Sequence, residues 1–120
     1  MFAALIADMK ADAGDHEALG ELTAACELIG GRLQSASADD RLAASYPFLT
    51  MLSVAVSGWL MARQLEVARS ETGDPAFLAM KKAAARFYLD QVVPEAIGLT
   101  AAAEAGADLL YAVDENMLAA

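Results

Sequence analysis

The stretch LAASYPFLTMLSVAVSGWLMA, residues 42–62, decides the fold, because it contains no charged side chain and lies between Arg41 and Arg63. About twenty consecutive apolar residues are enough to cross a bilayer as a helix. Four alanines, Pro47 and several hydroxyl side chains argue against a membrane span. A lone span would also leave the apolar faces of the other helices without partners. We therefore interpret the stretch as the central helix of a soluble bundle, apolar all round because neighbouring helices surround it.

Side chains with hydroxyl groups follow one face of this helix. Tyr46, Thr50, Ser53 and Ser57 are separated by four, three and four residues. Small hydroxyl residues permit close contact between helices, and they can donate a hydrogen bond to the carbonyl four residues earlier. The pattern is therefore compatible with close approach of a neighbouring helix on this face. Trp59 lies away from it.

The boundaries of this helix have clear signals. Ser37 and Asp40 form a possible capping box, which satisfies free backbone N–H groups in the first turn. From there the helix runs toward residue 69, and Gly73 is a natural C-terminal residue. Asp74 and Pro75 then begin the next helix as an N-cap and a proline at its first position.

Periodic apolar residues predict the other helices. A short amphipathic helix begins at Phe2, and a second helix follows with Asp15 as its cap. The second helix carries an apolar stripe at steps of three and four residues, with glycines near its end that predict close packing or a final turn; the stripe is Leu19, Leu22, Cys26, Ile29 and Leu33. The helix after Pro75 places Phe77, Met80, Ala84 and Phe87 on one face. A last helical piece runs from Glu95 to about Ala105.

Composition supports an all-α fold. Hydrophobic residues make up 58% of the 120 residues, much of that alanine, and only three prolines occur. Alanine is the strongest helix former. We predict one domain, residues 1–120, folded as an up-and-down antiparallel bundle of four to six helical segments. Pro47 and Pro94 each either kink or break a helix, which is why the number of segments stays open.

Charge and cysteine content restrict the function. Eight basic and seventeen acidic residues give a net charge of −9, and a surface this acidic repels nucleic acid. Cys26 is the single cysteine, so no internal disulfide forms, as is usual in a reducing cytoplasm. The N-terminal sequence MFAALIADMKAD has no basic region of the kind that opens a secretory signal. We expect a cytoplasmic protein without a membrane span.

The sequence contains no recognisable active site. His16 is the only histidine and is predicted to lie at the surface, so neither a di-iron bundle nor a zinc site has its ligands. Cys26 falls on an apolar stripe, where a free cysteine behaves as a small hydrophobe. No glycine-rich phosphate-binding motif occurs. We assign no catalytic, cofactor-binding or metal-binding residue to this chain.

Two stretches carry a more specific pattern. They are YPFLTMLSVAVSGWLMAR, residues 46–63, and KKAAARFYLDQVVPEAIGLTAAAEAGADLL, residues 81–110. Their distinctive marks are Gly58-Trp59, Ala85-Arg86-Phe87-Tyr88, Val93-Pro94 and Ala105-Gly106-Ala107. In order, these resemble the C-terminal helical extension of a subset of acyl-CoA dehydrogenases, which includes the enzymes acting on methylmercaptopropionyl-CoA. The resemblance covers nearly the whole chain, and the matching residues carry architecture rather than chemistry.

The resemblance implies a function for the chain as part of a larger protein. The parent enzyme would be an FAD-dependent acyl-CoA dehydrogenase whose flavin site and glutamate base belong to preceding domains. This chain would be its non-catalytic C-terminal domain, packing on the dehydrogenase core or on a neighbouring subunit of a homo-oligomer. The candidate interface residues are Trp59, Lys81, Arg86, Phe87 and Tyr88, although aromatic residues more often pack in cores. Arg86 and Asp90 are placed to pair along a helix.

Two other hypotheses stay open at this point. The chain could be a free-standing helical module that dimerises through an exposed apolar face, in which case it would be colourless and its oligomeric state would depend on concentration. It could also be a peripheral membrane protein anchored by residues 42–62. The acidic charge disfavours attraction to anionic lipids.

Overall fold

The computed structural model describes residues 1–119 and consists of helices joined by short loops. In chain order these are α1 (Phe2–Ala11), α2 (Glu17–Gln34), α3 (Ala38–Ser70), α4 (Pro75–Phe87), a π-helical turn (Tyr88–Val92), α5 (Val93–Ile97), α6 (Thr100–Glu104), a 3₁₀ turn (Asp108–Tyr111) and α7 (Glu115–Leu118). No strand occurs among the described residues. Because α4, the π turn and α5 follow one another without a gap, they count as one segment, and the predicted all-α fold is confirmed.

The 33-residue helix α3 is the axis of the bundle. It packs against α2 on one side and against α4 and α5 on the other, while α2 also contacts α5. The connections before and after α3 are short, residues 35–37 and 71–74, so consecutive long helices run antiparallel. α1 packs on α2, and α6 packs mainly on α3. The molecule is elongated, measuring 65 × 32 × 19 Å along its principal axes.

The core lies on one face of α3. The buried residues of this helix recur every three or four positions, and they are Ala44, Pro47, Met51, Ala55, Gly58, Ala62, Leu65 and Ala68. Across from them lie buried residues of α2, the π turn and α5, including Leu22, Cys26, Leu89 and Val93. The periodicity of 3.6 residues per turn therefore turns one side of α3 inward along its whole length.

The other side of α3 faces solvent, which corrects the expectation that neighbours surround this helix. Only 28% of the residues in its most apolar 18-residue window are buried. By length and composition alone, α3 is the one helix in residues 1–119 that is able to cross a membrane. This is weak evidence for a span, because the central helix of a folded bundle passes the same test.

The hydroxyl face of α3 is not where the closest contact between helices occurs. Tyr46 and Ser53 are exposed, and Thr50 and Ser57 are half-buried. The expected local bond does form, since the Thr50 hydroxyl donates to the Tyr46 carbonyl at 2.9 Å.

The close helix contact occurs at Gly58 instead. A β-carbon added to Gly58 would lie 2.9 Å from Val93 Cγ2 and 3.0 Å from Leu19 Cδ1. These distances are shorter than ordinary van der Waals contacts, so the missing side chain is what lets α2 and α5 approach α3 together. A second close approach involves Gly30, where an added β-carbon would lie 2.5 Å from the ring of Phe2.

Neither internal proline breaks its helix. Pro47 is buried within α3, which continues through it. Pro94 follows the π-helical turn, in which the Val93 N–H bonds to the Tyr88 carbonyl five residues earlier. A proline lacks the N–H of the regular ladder and its ring crowds the preceding turn. One turn of wider helix relieves that crowding and lets α4 continue into α5.

The capping interactions at the start of α3 are only partly those predicted. The Ser37 hydroxyl accepts a hydrogen bond from the Asp40 N–H at 3.2 Å, as in a capping box. The Asp40 carboxylate does not complete the box, because it accepts instead from the N–H of Ala107 at 2.9 Å. Gly106 precedes that N–H with φ +71°, a conformation that favours glycine. The carboxylate therefore ties the chain after α6 to the first turn of α3.

Among the other predicted helix ends, one is confirmed and two are corrected. Asp74 caps α4, its carboxylate accepting from the Ala76 N–H at 3.0 Å, and Pro75 is the first residue. α2 begins instead with His16 at the N-cap position and without a side-chain cap, so the prediction for Asp15 is wrong. α3 ends at Ser70 because Glu71 adopts an extended backbone. The stop does not need Gly73.

Substitution of Gly58 by alanine tests the close helix contact. Gly31 is the matched control, because it is helical, exposed and has no neighbour within 4 Å of an added β-carbon. Both substitutions gain the same helix propensity, whereas only Gly58→Ala overpacks the core. We expect Gly58→Ala to be less stable to urea than Gly31→Ala by about 1–3 kcal/mol. Equal free energies of unfolding would show that α2 and α5 do not depend on this glycine.

Substitution of Asp40 by alanine tests the tether to Ala107. It leaves a partly buried N–H without an acceptor, which costs about 1–3 kcal/mol. Asp39→Ala is the control, because it removes a carboxylate from the same first turn without breaking this bond. We expect faster amide hydrogen exchange at Ala107 in Asp40→Ala alone. Equal exchange in both variants would contradict the tether.

Candidate interaction surface

The structure separates the five residues predicted for an interface. Trp59 and Tyr88 are half-buried and pack against the core. The indole N–H of Trp59 donates to the Asp12 carboxylate at 2.9 Å, and the guanidinium of Arg63 lies 5.4 Å from the indole centroid. The Tyr88 ring approaches Gly58, with Cε1 3.9 Å from the position of an added β-carbon. Both aromatic residues hold helices together.

Lys81, Arg86 and Phe87 lie on α4, which is bound to the bundle by only part of its surface. Ala85 is the one fully buried residue of α4. The Lys81 ammonium lies 5.4 Å above the ring of Phe77, and Arg86 Nε lies 3.5 Å from Asp90 Oδ2, as predicted.

Three large apolar side chains of α4 point into solvent. Phe77, Met80 and Phe87 are 49%, 64% and 56% exposed. We call these three side chains the α4 face. These three residues have the spacing of a buried helix face, but they are exposed and can therefore contact another protein surface.

A second apolar surface was not predicted as a contact. Leu42, Tyr46, Leu49, Leu60 and Val67 are each more than half exposed on the outer side of α3. Their sequence spacing contains the signal, since the steps of four, three, eleven and seven residues between them all keep side chains on one side of a helix. The signal was missed because α3 was expected to be covered on all sides.

The residues after α6 expose further apolar side chains. The 3₁₀ turn and α7 contain no buried residue. Leu109, Leu110, Tyr111 and Leu118 are each more than two thirds exposed. This part of the chain packs little on the bundle beyond Ala107.

A cleft of about 910 Å³ lies between the α1–α2 loop, α3 and the π turn. Its lining includes three arginines and five carboxylates: Arg63, Arg69, Arg86, Asp12, Asp15, Glu17, Glu66 and Asp90. Arg69 pairs with Glu66 at 3.6 Å. The excess of carboxylates disfavours a phosphate-containing ligand here.

The described residues offer no cluster for metal binding or nucleophilic catalysis. Among residues 1–119, no group of three or more His, Cys, Asp or Glu side chains is placed to hold a metal ion. Cys26 is fully buried, and burial raises the pKa of its thiol from 9.0 to about 11. A buried neutral thiol is a poor nucleophile. The prediction that Cys26 packs as a small hydrophobe is confirmed.

The raised pKa of Cys26 makes stability depend on pH. The unfolded chain releases the thiol proton near pH 9, whereas the folded chain holds it to about pH 11. Relative to Cys26→Ala, the wild-type chain should therefore lose about 2 kcal/mol of unfolding free energy as the pH rises from 9 to 11. Urea titrations of both proteins at several pH values measure this. A difference that stays constant with pH would show that Cys26 is solvated.

Comparison with known proteins extends these observations. A model of the family described as "Acetyl-CoA dehydrogenase C-terminal like" matches residues 3–114, which is nearly the whole chain. No curated protein and no solved structure matches the chain significantly. The matched region runs from α1 through the 3₁₀ turn and includes the α4 face and the outer side of α3. The chain therefore belongs to the acetyl-CoA dehydrogenase C-terminal like family.

Proposed function

We propose that this chain is the non-catalytic C-terminal domain of an FAD-dependent acyl-CoA dehydrogenase, and that it packs through the α4 face on the dehydrogenase core or a neighbouring subunit. The family match supports a place in such an enzyme. The motifs at Gly58-Trp59 and at residues 85–88 support the methylmercaptopropionyl-CoA dehydrogenase-like subset. The single, unpaired Cys26 favours a reducing cytoplasm.

The observation that carries the proposal is the exposure of an apolar face on a helix that belongs to the folded bundle. Phe77 and Phe87 present two aromatic rings to solvent, with Met80 between them in sequence. Aromatic residues, methionine and arginine are enriched at protein interfaces. Truncation of such anchors usually costs more binding energy than truncation of their neighbours. The α4 face therefore has the composition of a docking surface.

Charge makes α4 distinct from the rest of the chain. It contains Lys81, Lys82 and Arg86 and no acidic residue, although the whole chain carries a net charge of −9. The Lys81 ammonium lies over the Phe77 ring, at the rim where charged groups commonly direct association, whereas Arg86 pairs with Asp90 and lines the cleft. The preferred partner surface is apolar with acidic residues around it.

The large cleft within residues 1–119 is poorly suited to FAD. The large cleft has more carboxylates than guanidinium groups, and FAD carries a negatively charged pyrophosphate that such a lining repels. The cleft also lacks the glycine-rich turn that brings backbone N–H groups to a dinucleotide. FAD and the catalytic base are accordingly assigned to other parts of the parent polypeptide.

The proposal is tested by capturing the native protein from its source cells with an antibody to this domain and determining its mass and its absorbance spectrum. We expect a polypeptide several-fold larger than 12.5 kDa that carries the visible absorbance of oxidised flavin. Mass spectrometry and an absorbance spectrum on the same sample are sufficient. A colourless native product of 12.5 kDa would refute the dehydrogenase context.

Variants of that flavoprotein test the α4 face. We expect Phe77→Ser combined with Phe87→Ser to weaken domain docking by about 2–4 kcal/mol, seen as an earlier unfolding step of this domain in calorimetry. Leu28→Ser is the control, because Leu28 is a helical residue with similar exposure, 54%. A Lys81→Ala and Arg86→Ala pair should have a smaller effect of the same sign. Unchanged assembly and turnover in all α4 variants would exclude this face.

A further inference from the structure

The outer side of α3 carries a regular apolar seam. Its positions are 42, 46, 49, 53, 56, 60, 63 and 67, occupied by Leu, Tyr, Leu, Ser, Val, Leu, Arg and Val. The steps alternate between four and three residues, which is the spacing of the contact positions in a coiled coil. We call these eight positions the α3 seam. It extends for about 38 Å along the helix.

Most of the α3 seam is uncovered within residues 1–119, and the exception is Val56, which is half-buried and packs against the core. α2, α4 and α5 pack against α3, and the buried residues of α3 lie on the side away from the seam. The exposed fraction reaches 70% at Leu42, 77% at Tyr46 and 63% at Leu49. A mainly apolar face of this length on a folded domain is typical of a contact surface.

The spacing of the α3 seam is the same when read in either direction. In an antiparallel pair of α3 helices, Leu42 of one copy therefore faces Val67 of the other, and Leu49 faces Leu60. Ser53 faces Val56 at the centre, where the small serine allows the helices to approach closely. Tyr46 faces Arg63, whose guanidinium can stack on an aromatic ring. All eight positions find a partner in this register, which a two-fold symmetric contact requires.

We propose that the α3 seam binds the α3 seam of a second copy of this chain in an antiparallel, two-fold symmetric dimer. Charge favours this partner at this place. α3 contains three acidic and three basic residues, so it is neutral: Asp39, Asp40, Glu66, Arg41, Arg63 and Arg69. The rest of the chain carries the net charge of −9. Two copies therefore meet along α3 without bringing their acidic surfaces together.

Other occupants fit the α3 seam less well. A lipid surface needs apolar residues flanked by basic side chains on the polar side, whereas no charge lies between Arg41 and Arg63. A globular partner does not require an unbroken heptad spacing. The proposed contact is separate from the α4 face, so both surfaces can be occupied at once in an oligomeric enzyme.

Sedimentation equilibrium of the purified 120-residue chain tests the contact. We expect a monomer–dimer equilibrium in which Leu49→Glu raises the dissociation constant at least about 100-fold, because each dimer buries this position twice. Leu28→Glu is the control, since it places a glutamate on an exposed apolar residue outside the seam. This variant should dimerise like the wild type.

Cysteine pairing tests the register. Chains with Cys26→Ala and Leu49→Cys are mixed with chains carrying Cys26→Ala and Leu60→Cys, then oxidised mildly. Positions 49 and 60 of the two copies are adjacent in the antiparallel register, whereas the two Leu49 positions are about 16 Å apart along the axis. We expect mixed disulfide dimers and few dimers of either chain with itself. Efficient coupling of each chain to itself would overturn the antiparallel register.

Three results would overturn the proposal itself. The wild-type chain would stay monomeric at every concentration, or Phe87→Glu rather than Leu49→Glu would abolish the dimer. The monomer would alternatively bind neutral phosphatidylcholine vesicles in a manner lost in Leu49→Glu. None of these experiments depends on flavin or on the mass of the native product, so failure here and failure of the dehydrogenase assignment are distinguishable.

Discussion

The distance between helices at Gly58 constrains the rest of the structure. Leu19 and Val93 reach the space that a side chain at this position would occupy, so α2 and α5 are both held within close packing distance of α3. α2 then lies on one flank of α3, and α5 closes the bundle by contacting α2 as well. With three helices fixed in this way, one side of α3 is enclosed and the opposite side stays outside.

The local signals in the sequence were sufficient for much of the fold. Ser37, Asp74 and Pro75 mark helix starts through bonds between neighbouring residues, and such bonds need no knowledge of distant contacts. Pro47 and Pro94 required tertiary information, because a proline is tolerated wherever packing or a wider turn compensates for its missing hydrogen bond. The bond from Asp40 to Ala107 joins residues 67 positions apart, and no local pattern indicates it.

The predicted interface residues also depended on contacts between distant parts of the chain that no local sequence pattern indicates. Trp59, Tyr88 and Phe87 are all aromatic residues in helices, and the sequence alone does not separate core residues from exposed ones. Whether one of these aromatic residues is buried or exposed depends on whether it lies on the side of its helix that faces the contact at Gly58. Phe87 and Tyr88 are adjacent in sequence yet differ in burial, since consecutive residues point about 100° apart on a helix. The exposure of the outer side of α3 was not predicted for a different reason, because an uncharged stretch such as residues 42–62 is equally compatible with full burial and with one covered side.

The π-helical turn between α4 and α5 affects how the length of this continuous helical segment can vary. A π turn accommodates one residue more than the same rise of α-helix. Removing one residue from Tyr88–Val92 would convert the turn to regular α-helix while keeping Ala85 directed at α3 and Val93 at its place beside Gly58. Insertions and deletions of a single residue normally rotate everything that follows by about 100°. This segment is therefore the place in the bundle where chain length can change by one residue without altering which faces meet.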